Sequence, residues 1–408
     1  MKKLLLALLT CVIVQSGIAQ YKYDNVLFKT VYIEDLCDSI NKYPQHLLLD
    51  VRSKGEFYDT SSSASLNIGH LKGAKNLDIK DMETKWKELL PYKDQPVFIY
   101  CSHSQRSRVF SKFLSDSGFT KIINVNGAMT EFNLLKYKEP ECTTELYETN
   151  NKFGLLSPQD VAKLMNSVTN LFILDVRTDS AFRGISTDPM AKAHGKFKGA
   201  VNIPYADLPS NLNKVPKNRP ILVVADFGRE TNLASKLLSE NGYTQVYAAF
   251  NGMNQWMSTS AKELPSRDKL WVRKLPYTTI TAEEMDKKLT ASPNIFILDI
   301  RTAEEFNNQV KKDTWKNRGH IRKAVNIPVT DLDKRWNEIA GMKNKNIIVY
   351  AFGTSPEAFQ AANLLTSKGF TKVEVLTGGL WDVRWKAANL KGQSKLMSYV
   401  VDVPAENL

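Results

Sequence analysis

The chain has 408 residues, of which 43% are hydrophobic and 24% are charged, and its formal net charge is +12. This composition excludes disordered and fibrous chains, and the length predicts about three domains. The positive charge favours anionic partners, but no compact Lys/Arg run with interleaved aromatic residues is present, so we expect no nucleic-acid partner.

The chain begins with a segment typical of secretory signal peptides. Two lysines precede an apolar run over residues 4–14, and small residues lead up to Ala19. We expect residues 1–19 to be removed during export, which makes the mature protein periplasmic or secreted. The run is shorter than the roughly 20 residues that a membrane span needs, so we expect no stable span. Lipidation at Cys11 and an uncleaved anchor are the alternatives.

Three cysteines follow the signal segment, namely Cys37, Cys101 and Cys142. An odd number leaves at least one thiol unpaired within the chain. A disulfide between Cys37 and Cys142 would leave Cys101 free, but the sequence does not give the distance between the two sulfur atoms. We favour the interpretation that Cys37 is a small, reduced residue on the buried face of a helix.

An apolar strand that ends in Asp-Val/Ile-Arg occurs three times in the chain. The aspartates are Asp50, Asp175 and Asp299. They are 125 (175 − 50) and 124 (299 − 175) residues apart, a period that fits a whole domain. A helix is predicted to start 18 residues before each aspartate. Ser157 and Thr281 are its expected N-caps in copies two and three, whereas Tyr32 in copy one offers no capping side chain.

The same landmarks define the expected domains and fold class. We predict domains over residues 21–140, 152–264 and 278–390, followed by a polar, peripheral tail over residues 391–408. Apolar strands that alternate with amphipathic helices predict an α/β fold, with three mostly parallel sheets covered by helices on both faces. Ligands bind beyond the carboxyl ends of such strands, where the loop after Tyr100 should lie.

That loop connects an apolar strand to a helix in the first copy. Its residues are Cys101, Ser102, His103, Ser104, Gln105, Arg106 and Ser107. A cysteine at a strand end faces the unpaired N–H groups and the partial positive charge of the following helix, which favour the thiolate. Arg106 adds a permanent positive charge. We therefore expect a site for an anionic sulfur species.

Together these motifs resemble the rhodanese sulfurtransferases. The resemblance rests on the Asp-Val-Arg motif, Gly-His-x-x-Gly-Ala-x-Asn from Gly69, Cys-x4-Arg from Cys101 and Asn-Gly at residues 126–127. It covers nearly the whole chain after the signal segment, as three tandem domains. It implies that Cys101 accepts sulfane sulfur as a persulfide, that Arg106 closes the loop, and that the backbone of residues 102–107 cradles the substrate.

The resemblance also implies the partners of the reaction. The donor would be thiosulfate or a similar small anion, and the acceptor would be cyanide, a small thiol or a protein thiol. No metal or organic cofactor is expected. His103 could steer a substrate or protonate a leaving group, although it could also be an ordinary exposed loop residue. Ser104 stands where family loops often carry glycine, so we expect it to adopt a positive φ at some cost.

The second and third copies lack the cysteine. Alignment of the copies places Ala225 and Ala351 at the position of Cys101, and Glu230 at the position of Arg106. We expect these copies to be structural, to bind a partner or to shield the first site. A catalytically weak scaffold protein of the envelope and a thiol redox exchange protein are the alternative functions. Phosphatase activity is a minor one, because phosphatases use a longer Cys-x5-Arg loop.

Overall fold

The computed structural model describes residues 27–138 and 140–404 as three α/β domains in chain order. The expected signal peptide, the expected cleavage after Ala19 and Cys11 lie outside the described residues. Each domain is built on a parallel five-stranded sheet with the same connectivity, so the predicted fold class is confirmed. We label strands β1–β21 and helices α1–α17 in chain order.

The first domain has the sheet order β1-β6-β5-β2-β4. Its strands are β1 (Lys29–Val31), β2 (Leu47–Asp50), β3 (His70–Leu71), β4 (Lys75–Asn76), β5 (Val97–Tyr100), β6 (Ile122–Val125) and β7 (Tyr147–Glu148). Its helices are α1 (Leu36–Asn41), α2 (Lys54–Phe57), α3 (Met82–Lys85), α4 (Gln105–Asp116), α5 (Ala128–Leu135) and α6 (Pro140–Leu146). Its 3-10 helices are Ile33–Asp35, Ala64–Leu66, Ile79–Asp81 and Trp86–Tyr92.

The second domain has the sheet order β8-β13-β12-β9-β11. Its strands are β8 (Gly154–Leu156), β9 (Phe172–Asp175), β10 (Lys196–Phe197), β11 (Val201–Asn202), β12 (Ile221–Val224), β13 (Val246–Ala249) and β14 (Trp271–Val272). Its helices are α7 (Pro158–Ser167), α8 (Asp179–Arg183), α9 (Pro189–Ala193), α10 (Gly228–Glu240), α11 (Gly252–Met257) and α12 (Arg267–Leu270), with a 3-10 helix at Leu208–Lys214.

The third domain has the sheet order β15-β20-β19-β16-β18. Its strands are β15 (Thr278–Ile280), β16 (Phe296–Asp299), β17 (His320–Ile321), β18 (Val325–Asn326), β19 (Ile347–Tyr350), β20 (Val373–Leu376) and β21 (Val400–Val401). Its helices are α13 (Ala282–Ala291), α14 (Ala303–Phe306), α15 (Val329–Arg335), α16 (Pro356–Ser367) and α17 (Gly379–Asn389). Its 3-10 helices are Thr314–Lys316, Trp336–Met342 and Ser394–Tyr399.

The predicted helix starts are confirmed by their caps. The Ser157 side chain accepts a hydrogen bond from the Asp160 N–H at the start of α7, and Thr281 forms a capping box with Glu284 at the start of α13. In the first domain the chain enters a short 3-10 helix after Tyr32, which makes no side-chain cap. The residue types that favour helix N-termini thus mark two of the three starts.

The repeated aspartate and arginine form a buried pair in each domain. Arg52 Nε and Nη2 donate to the Asp50 carboxylate at 2.7–3.0 Å, and Nη2 also donates to the Gly69 carbonyl at 2.7 Å. The pairs at Arg177 and Arg301 have the same arrangement. Because the partners are hydrogen-bonded on several sides, the pair fixes the carboxyl end of the strand to the turn before the next one.

A short strand after each domain returns to that domain. β7, β14 and β21 pair antiparallel with β3, β10 and β17, respectively. Both the segments between the predicted domains and the segment predicted as a tail therefore take part in domain structure. In the supposed tail, Leu396 is fully buried, because the 3-10 helix Ser394–Tyr399 packs on α17.

Cys37 on α1 and Cys142 on α6 form a disulfide. The expectation of a reduced Cys37 was therefore wrong, although the residue is buried on a helix as expected. The pairing of the two cysteines could not be predicted from the sequence, because the distance between them depends on how α6 folds back over the domain. Cys101 is the free cysteine among the described residues.

The three domains contact one another in a cyclic arrangement. The 3-10 helix Ala64–Leu66 of the first domain packs on α10 of the second, and Asn232 Nδ2 donates to the Ala64 carbonyl at 2.9 Å. The equivalent α9 of the second domain packs on α16 of the third. The third domain returns to the first, where Asn126 Nδ2 donates to the Ala388 carbonyl at 2.8 Å.

Candidate active site

Cys101 lies at the carboxyl end of the central strand β5 and before α4, as the sequence predicts. It is only 1% exposed and belongs to the apolar cluster that includes Val51 and Phe110. The expected strand-to-helix placement is thus present, and the cysteine is enclosed by the surrounding protein.

Ser104 and Ser107 hold the loop from inside. Ser104 has φ +76°, the positive value that was expected where family loops carry glycine. Its Oγ accepts a hydrogen bond from the Gly127 N–H at 2.6 Å. Ser107 Oγ makes hydrogen bonds to the Ser104 carbonyl and to Asn124 Oδ1, at 3.0 and 2.7 Å. Both side chains are buried and fix the loop backbone rather than reaching towards a substrate.

Arg106 is held by Glu56, a residue that was not predicted to belong to the site. Its Nη1 and Nη2 donate to the two carboxylate oxygens of Glu56 at 2.7 Å, and Nη2 also donates to Ser102 Oγ at 2.8 Å. Glu56 is fixed in turn as the capping-box residue of Ser53. A comparison of the copies could have indicated this pair, because the second domain lacks both partners: Ala181 stands in place of Glu56, and Glu230 in place of Arg106.

The Arg106–Glu56 contact changes the proton affinities of both groups. The hydrogen bonds to Glu56 raise the pKa of Arg106. Burial by itself would raise the pKa of Glu56, but the hydrogen bonds and charge of Arg106 outweigh it and lower that pKa. Both groups are therefore charged at neutral pH, and the bidentate geometry fixes the guanidinium in orientation.

His103 and Gln105 form the outer surface of the loop, and both are exposed. His103 Nδ1 lies 2.8 Å from Ser102 Oγ. Desolvation by the surrounding protein and the positive charge of Arg106 lower the pKa of His103. The ring is therefore neutral at pH 7 and can accept a proton or a hydrogen bond.

Backbone hydrogen bonds show which residues correspond in the three domains. The carbonyls of Cys101, Ala225 and Ala351 each accept a hydrogen bond from the N–H of the second residue of α5, α11 and α17, respectively, at 2.9–3.1 Å. Ala225 and Ala351 therefore occupy the position of the cysteine, and Ser102 corresponds to Asp226 in the second domain and to Phe352 in the third.

This correspondence reveals a further cationic group near the loop. In the second domain, Arg177 Nη1 donates to Asp226 at 3.2 Å, and His194 Nδ1 lies 2.6 Å from the same carboxylate. The equivalent Arg52 Nη1 is buried and has no hydrogen-bond partner among the described residues. Asp226 corresponds to Ser102, and the charge of Arg52 acts on the neighbouring His103, so Arg52 lies close to the cysteine loop.

Two cavities border the loop, and His103 lines both. One of about 430 Å³ lies between the first and third domains, and one of about 170 Å³ lies between the first and second. Gln105 contributes to the larger cavity only. Both cavities reach the loop at interfaces between domains.

Within residues 27–138 and 140–404, no helix has the length and apolarity of a membrane span. The same ranges contain no cluster of three or more His, Cys, Asp or Glu residues that could hold a metal ion.

Comparisons with known proteins agree with the repeat. The family described as "Rhodanese-like domain" matches residues 33–135, 157–259 and 281–387. The uncharacterized protein YqhL of Bacillus subtilis is 30% identical over 115 residues, which are 28% of this chain and 80% of that protein. The thiosulfate sulfurtransferase GlpE of Shewanella oneidensis is 25% identical over 97 residues, which are 24% of this chain and 86% of that protein.

A solved structure also aligns along most of the chain. The thiosulfate sulfurtransferase from Pseudomonas aeruginosa is 15% identical, and the alignment covers 86% of this chain and 66% of that chain with a TM-score of 0.22. The three family matches together span well over half of the chain. The protein therefore belongs to the rhodanese-like domain family, with three tandem copies of the domain.

Proposed function

We propose that this protein is a sulfurtransferase that carries sulfane sulfur on Cys101. The observation that carries the proposal is the position of Cys101 between a central strand and the N-terminus of α4, beside the Arg106–Glu56 pair. Family membership and relatives such as the thiosulfate sulfurtransferase of Shewanella oneidensis support it. The alanines at the equivalent positions of the other domains restrict the chemistry to the first.

Two displacement steps follow from this arrangement. In the first, the Cys101 thiolate attacks the outer sulfur of thiosulfate, a sulfur–sulfur bond forms, and sulfite leaves with the electron pair of the broken bond. In the second, cyanide or a thiolate attacks the outer sulfur of the persulfide, and the Cys101 thiolate is released. The loop N–H groups and the nearby arginines stabilise the anionic sulfur in both steps.

The neighbouring side chains have separate roles in this proposal. Arg106 attracts the anionic donor, while Glu56 keeps its guanidinium in one orientation. His103 lines the cavities beside the loop, and its neutral ring accepts the proton of an incoming thiol. Arg52 Nη1 offers an additional N–H to negative charge at the start of the loop.

The test is the mass of the intact protein after incubation with thiosulfate. We expect wild type to gain the mass of one sulfur atom, and to lose it again when cyanide is added. Cys101→Ser should gain nothing, although its Cys37–Cys142 disulfide is retained. If wild type gains no sulfur from thiosulfate or from other sulfane donors, the proposal is wrong and a scaffold role is favoured. A stable mixed disulfide at Cys101 would favour redox exchange instead.

We also propose that the protein acts outside the cytoplasm, in the periplasm or as a secreted protein. The Cys37–Cys142 disulfide supports this, because such bonds persist mainly in oxidising compartments. Fractionation of the source cells, followed by a mass measurement of the N-terminus, tests it. Mature protein that starts near residue 20 in the exported fraction is expected, and a full-length cytoplasmic protein would contradict it.

A further inference from the structure

The larger cavity beside the cysteine loop is built mainly by the third domain. It is lined by His103 and Gln105 of the first domain and by Arg318, Trp381, Arg384, Trp385 and Met397 of the third. Among the described residues that line it there is no carboxylate. Arg384 Nη1 donates to the Arg318 carbonyl at 3.3 Å, so the two arginines approach the cavity from adjacent segments. We call this cavity the Arg/Trp cleft.

The cyclic arrangement makes the Arg/Trp cleft comparable with the interface between the first and second domains. There, the first domain supplies Ile68 and Thr130 and the second supplies Gly228 at the start of α10. That cavity measures about 170 Å³, against about 430 Å³ for the Arg/Trp cleft, and the described residues that line it include no Asp, Glu, Lys or Arg. The Arg/Trp cleft is thus both larger and more cationic than the cavity between the first and second domains.

The residues that distinguish the Arg/Trp cleft are specific to the third copy. The backbone hydrogen bonds show that Trp381 is equivalent to Thr130 in the first domain and to Asn254 in the second. The other equivalent positions follow by counting residues along the same helix and along the same turn in each domain. Arg318, Arg384 and Trp385 correspond to Ile68, Asn133 and Leu134 in the first domain and to His194, Met257 and Ser258 in the second. The third domain, which has no cysteine at the equivalent position, thus carries two arginines and two tryptophans where its surface meets the cysteine loop of the first.

We propose that the Arg/Trp cleft binds the sulfur acceptor, and that this acceptor is a low-molecular-mass organic thiol that carries carboxylate groups. The inference rests on the proposed sulfur transfer at Cys101. Cyanide would leave most of a 430 Å³ cavity empty, whereas cavities of this size bind organic molecules. Guanidinium groups bind carboxylates in bidentate geometry, and indole rings pack on flat amide groups.

Two further features fit such a ligand. Trp385 Nε1 is buried and lacks a hydrogen-bond partner within the described ranges, so it can donate to an acceptor carbonyl. His103 lines the same cleft and lies next to Ser102, which places a neutral base between the bound thiol and the cysteine loop. The bound thiol loses its proton to His103, and its sulfur then takes the outer sulfur of the Cys101 persulfide, so that the Cys101 thiolate is restored.

The first experiment measures binding without chemistry. S-methylglutathione, which has two carboxylates and no free thiol, is titrated into the full-length protein while tryptophan fluorescence is followed. We expect saturable quenching that weakens at least tenfold in Arg384→Gln and in Trp381→Ala. Arg229→Gln removes an arginine whose side chain is 60% exposed on the second domain, and it should bind as wild type does. Circular dichroism verifies that each variant is folded.

The second experiment measures the choice between acceptors. The ratio of kcat/KM for glutathione to kcat/KM for cyanide should fall at least tenfold in Arg384→Gln and stay unchanged in Arg229→Gln. Persulfide on wild type without saturable binding of S-methylglutathione, or an unchanged acceptor ratio in Arg384→Gln, overturns the cleft assignment alone. Saturable binding that depends on Arg384, in a protein that never gains sulfur at Cys101, supports the ligand class and overturns the proposed sulfur transfer.

Discussion

Ser104 combines an unfavourable backbone conformation with a favourable side-chain contact. Its φ of +76° lies in the region that glycine adopts readily, but its Oγ satisfies the buried N–H of Gly127. A glycine at this position would relax the backbone and leave that N–H without its partner. The serine therefore stabilises the loop through a hydrogen bond that glycine could not make.

Two substitutions at Ser104 separate these effects. Ser104→Ala keeps the strained backbone and loses the hydrogen bond, so we expect it to lower the free energy of unfolding by about 1–3 kcal/mol. Ser104→Gly loses the same bond but removes the strain, so it should be more stable than the alanine variant by about 1 kcal/mol. Urea unfolding measures both values. An alanine variant as stable as the glycine variant would contradict this account.

The charge of Glu56 should weaken the attraction of the donor anion to Arg106. In Glu56→Gln the side chain can still cap α2, but it no longer neutralises the guanidinium. We expect the KM for thiosulfate to fall about threefold to tenfold, as one unit of charge a few ångströms away would cause. The matched control is Glu305→Gln in the third domain, whose carboxylate lies 3.2 Å from Lys316 Nζ. A higher KM in Glu56→Gln alone would mean that orientation of Arg106 matters more than its net charge.

Among individual residues, the sequence predicted those features of the site that lie within one short segment of the chain. Cys101, Arg106 and the positive φ of Ser104 belong to one short loop, so motif spacing was sufficient to find them. Glu56 is 50 residues from Arg106 and forms its contact only after two strands have paired in the sheet. No spacing rule predicts that contact, and only the loss of both partners in the second domain indicates it.

Among the elements of the fold, α1 and α6 are joined by the Cys37–Cys142 disulfide, which closes a separation of 105 residues. A covalent link over a long loop restricts the unfolded chain and so favours the folded state. The disulfide lies in the same domain as the cysteine loop, but it includes none of the residues of that loop.

Removal of this disulfide should destabilise the protein without affecting Cys101. We expect the double variant Cys37→Ala/Cys142→Ala to lose about 2–4 kcal/mol of unfolding free energy. Addition of a reductant should lower the stability of wild type to that of the double variant and leave the double variant unchanged. Denaturant titrations with and without reductant measure this, and Cys101→Ala is the control. Equal stability of wild type and the double variant would be incompatible with a formed bond.

The regular strands and capped helices were predictable, whereas the short returning strands were not. Apolar runs at a constant period predicted β2, β9 and β16 and the strands beside them. β7, β14 and β21 have two residues each, too few for a hydrophobic period to appear. Their positions depend on how the chain after each domain folds back on it, so the sequence predicted only gaps between the domains and a peripheral tail.

The whole molecule contains a buried charged cluster to which all three domains contribute. Glu131 on α5 is 4% exposed and interacts with the charges of Lys386, Glu34, Glu263 and Asp382. Burial raises the pKa of Glu131 to about 8, and burial also raises the pKa of Asp382 to about 6. Both carboxyls therefore bind protons more strongly in the folded protein than in the unfolded chain.

This cluster predicts how stability depends on pH. Between the ordinary glutamate pKa of 4.5 and about 8, folded Glu131 keeps a proton that the unfolded chain has lost, so stability falls as the pH rises through this range. We expect wild type to lose about 1–3 kcal/mol more than Glu131→Gln between pH 6 and pH 9. Denaturant titrations across this pH range measure the difference. Parallel pH profiles for the two proteins would show that Glu131 titrates normally.

The number of domains could be predicted from the sequence, but their contacts could not. Three copies of one motif series were sufficient to predict three sheets. The contact of Asn126 with Ala388 joins residues 262 positions apart, and each copy has different residues at the equivalent interface. Such contacts depend on complementary surfaces of folded domains, which a repeat period does not describe.

The returning strands also determine where the first domain can be separated from the rest. A fragment that stops at residue 135, the end of the family match, would lack β7 and expose the backbone of His70 and Leu71 as an open sheet edge prone to aggregation. It would also lack Cys142 and leave Cys37 as a second reactive thiol. A fragment that continues to residue 151 retains both features, so the chemistry of a single domain could be measured on it without these artefacts.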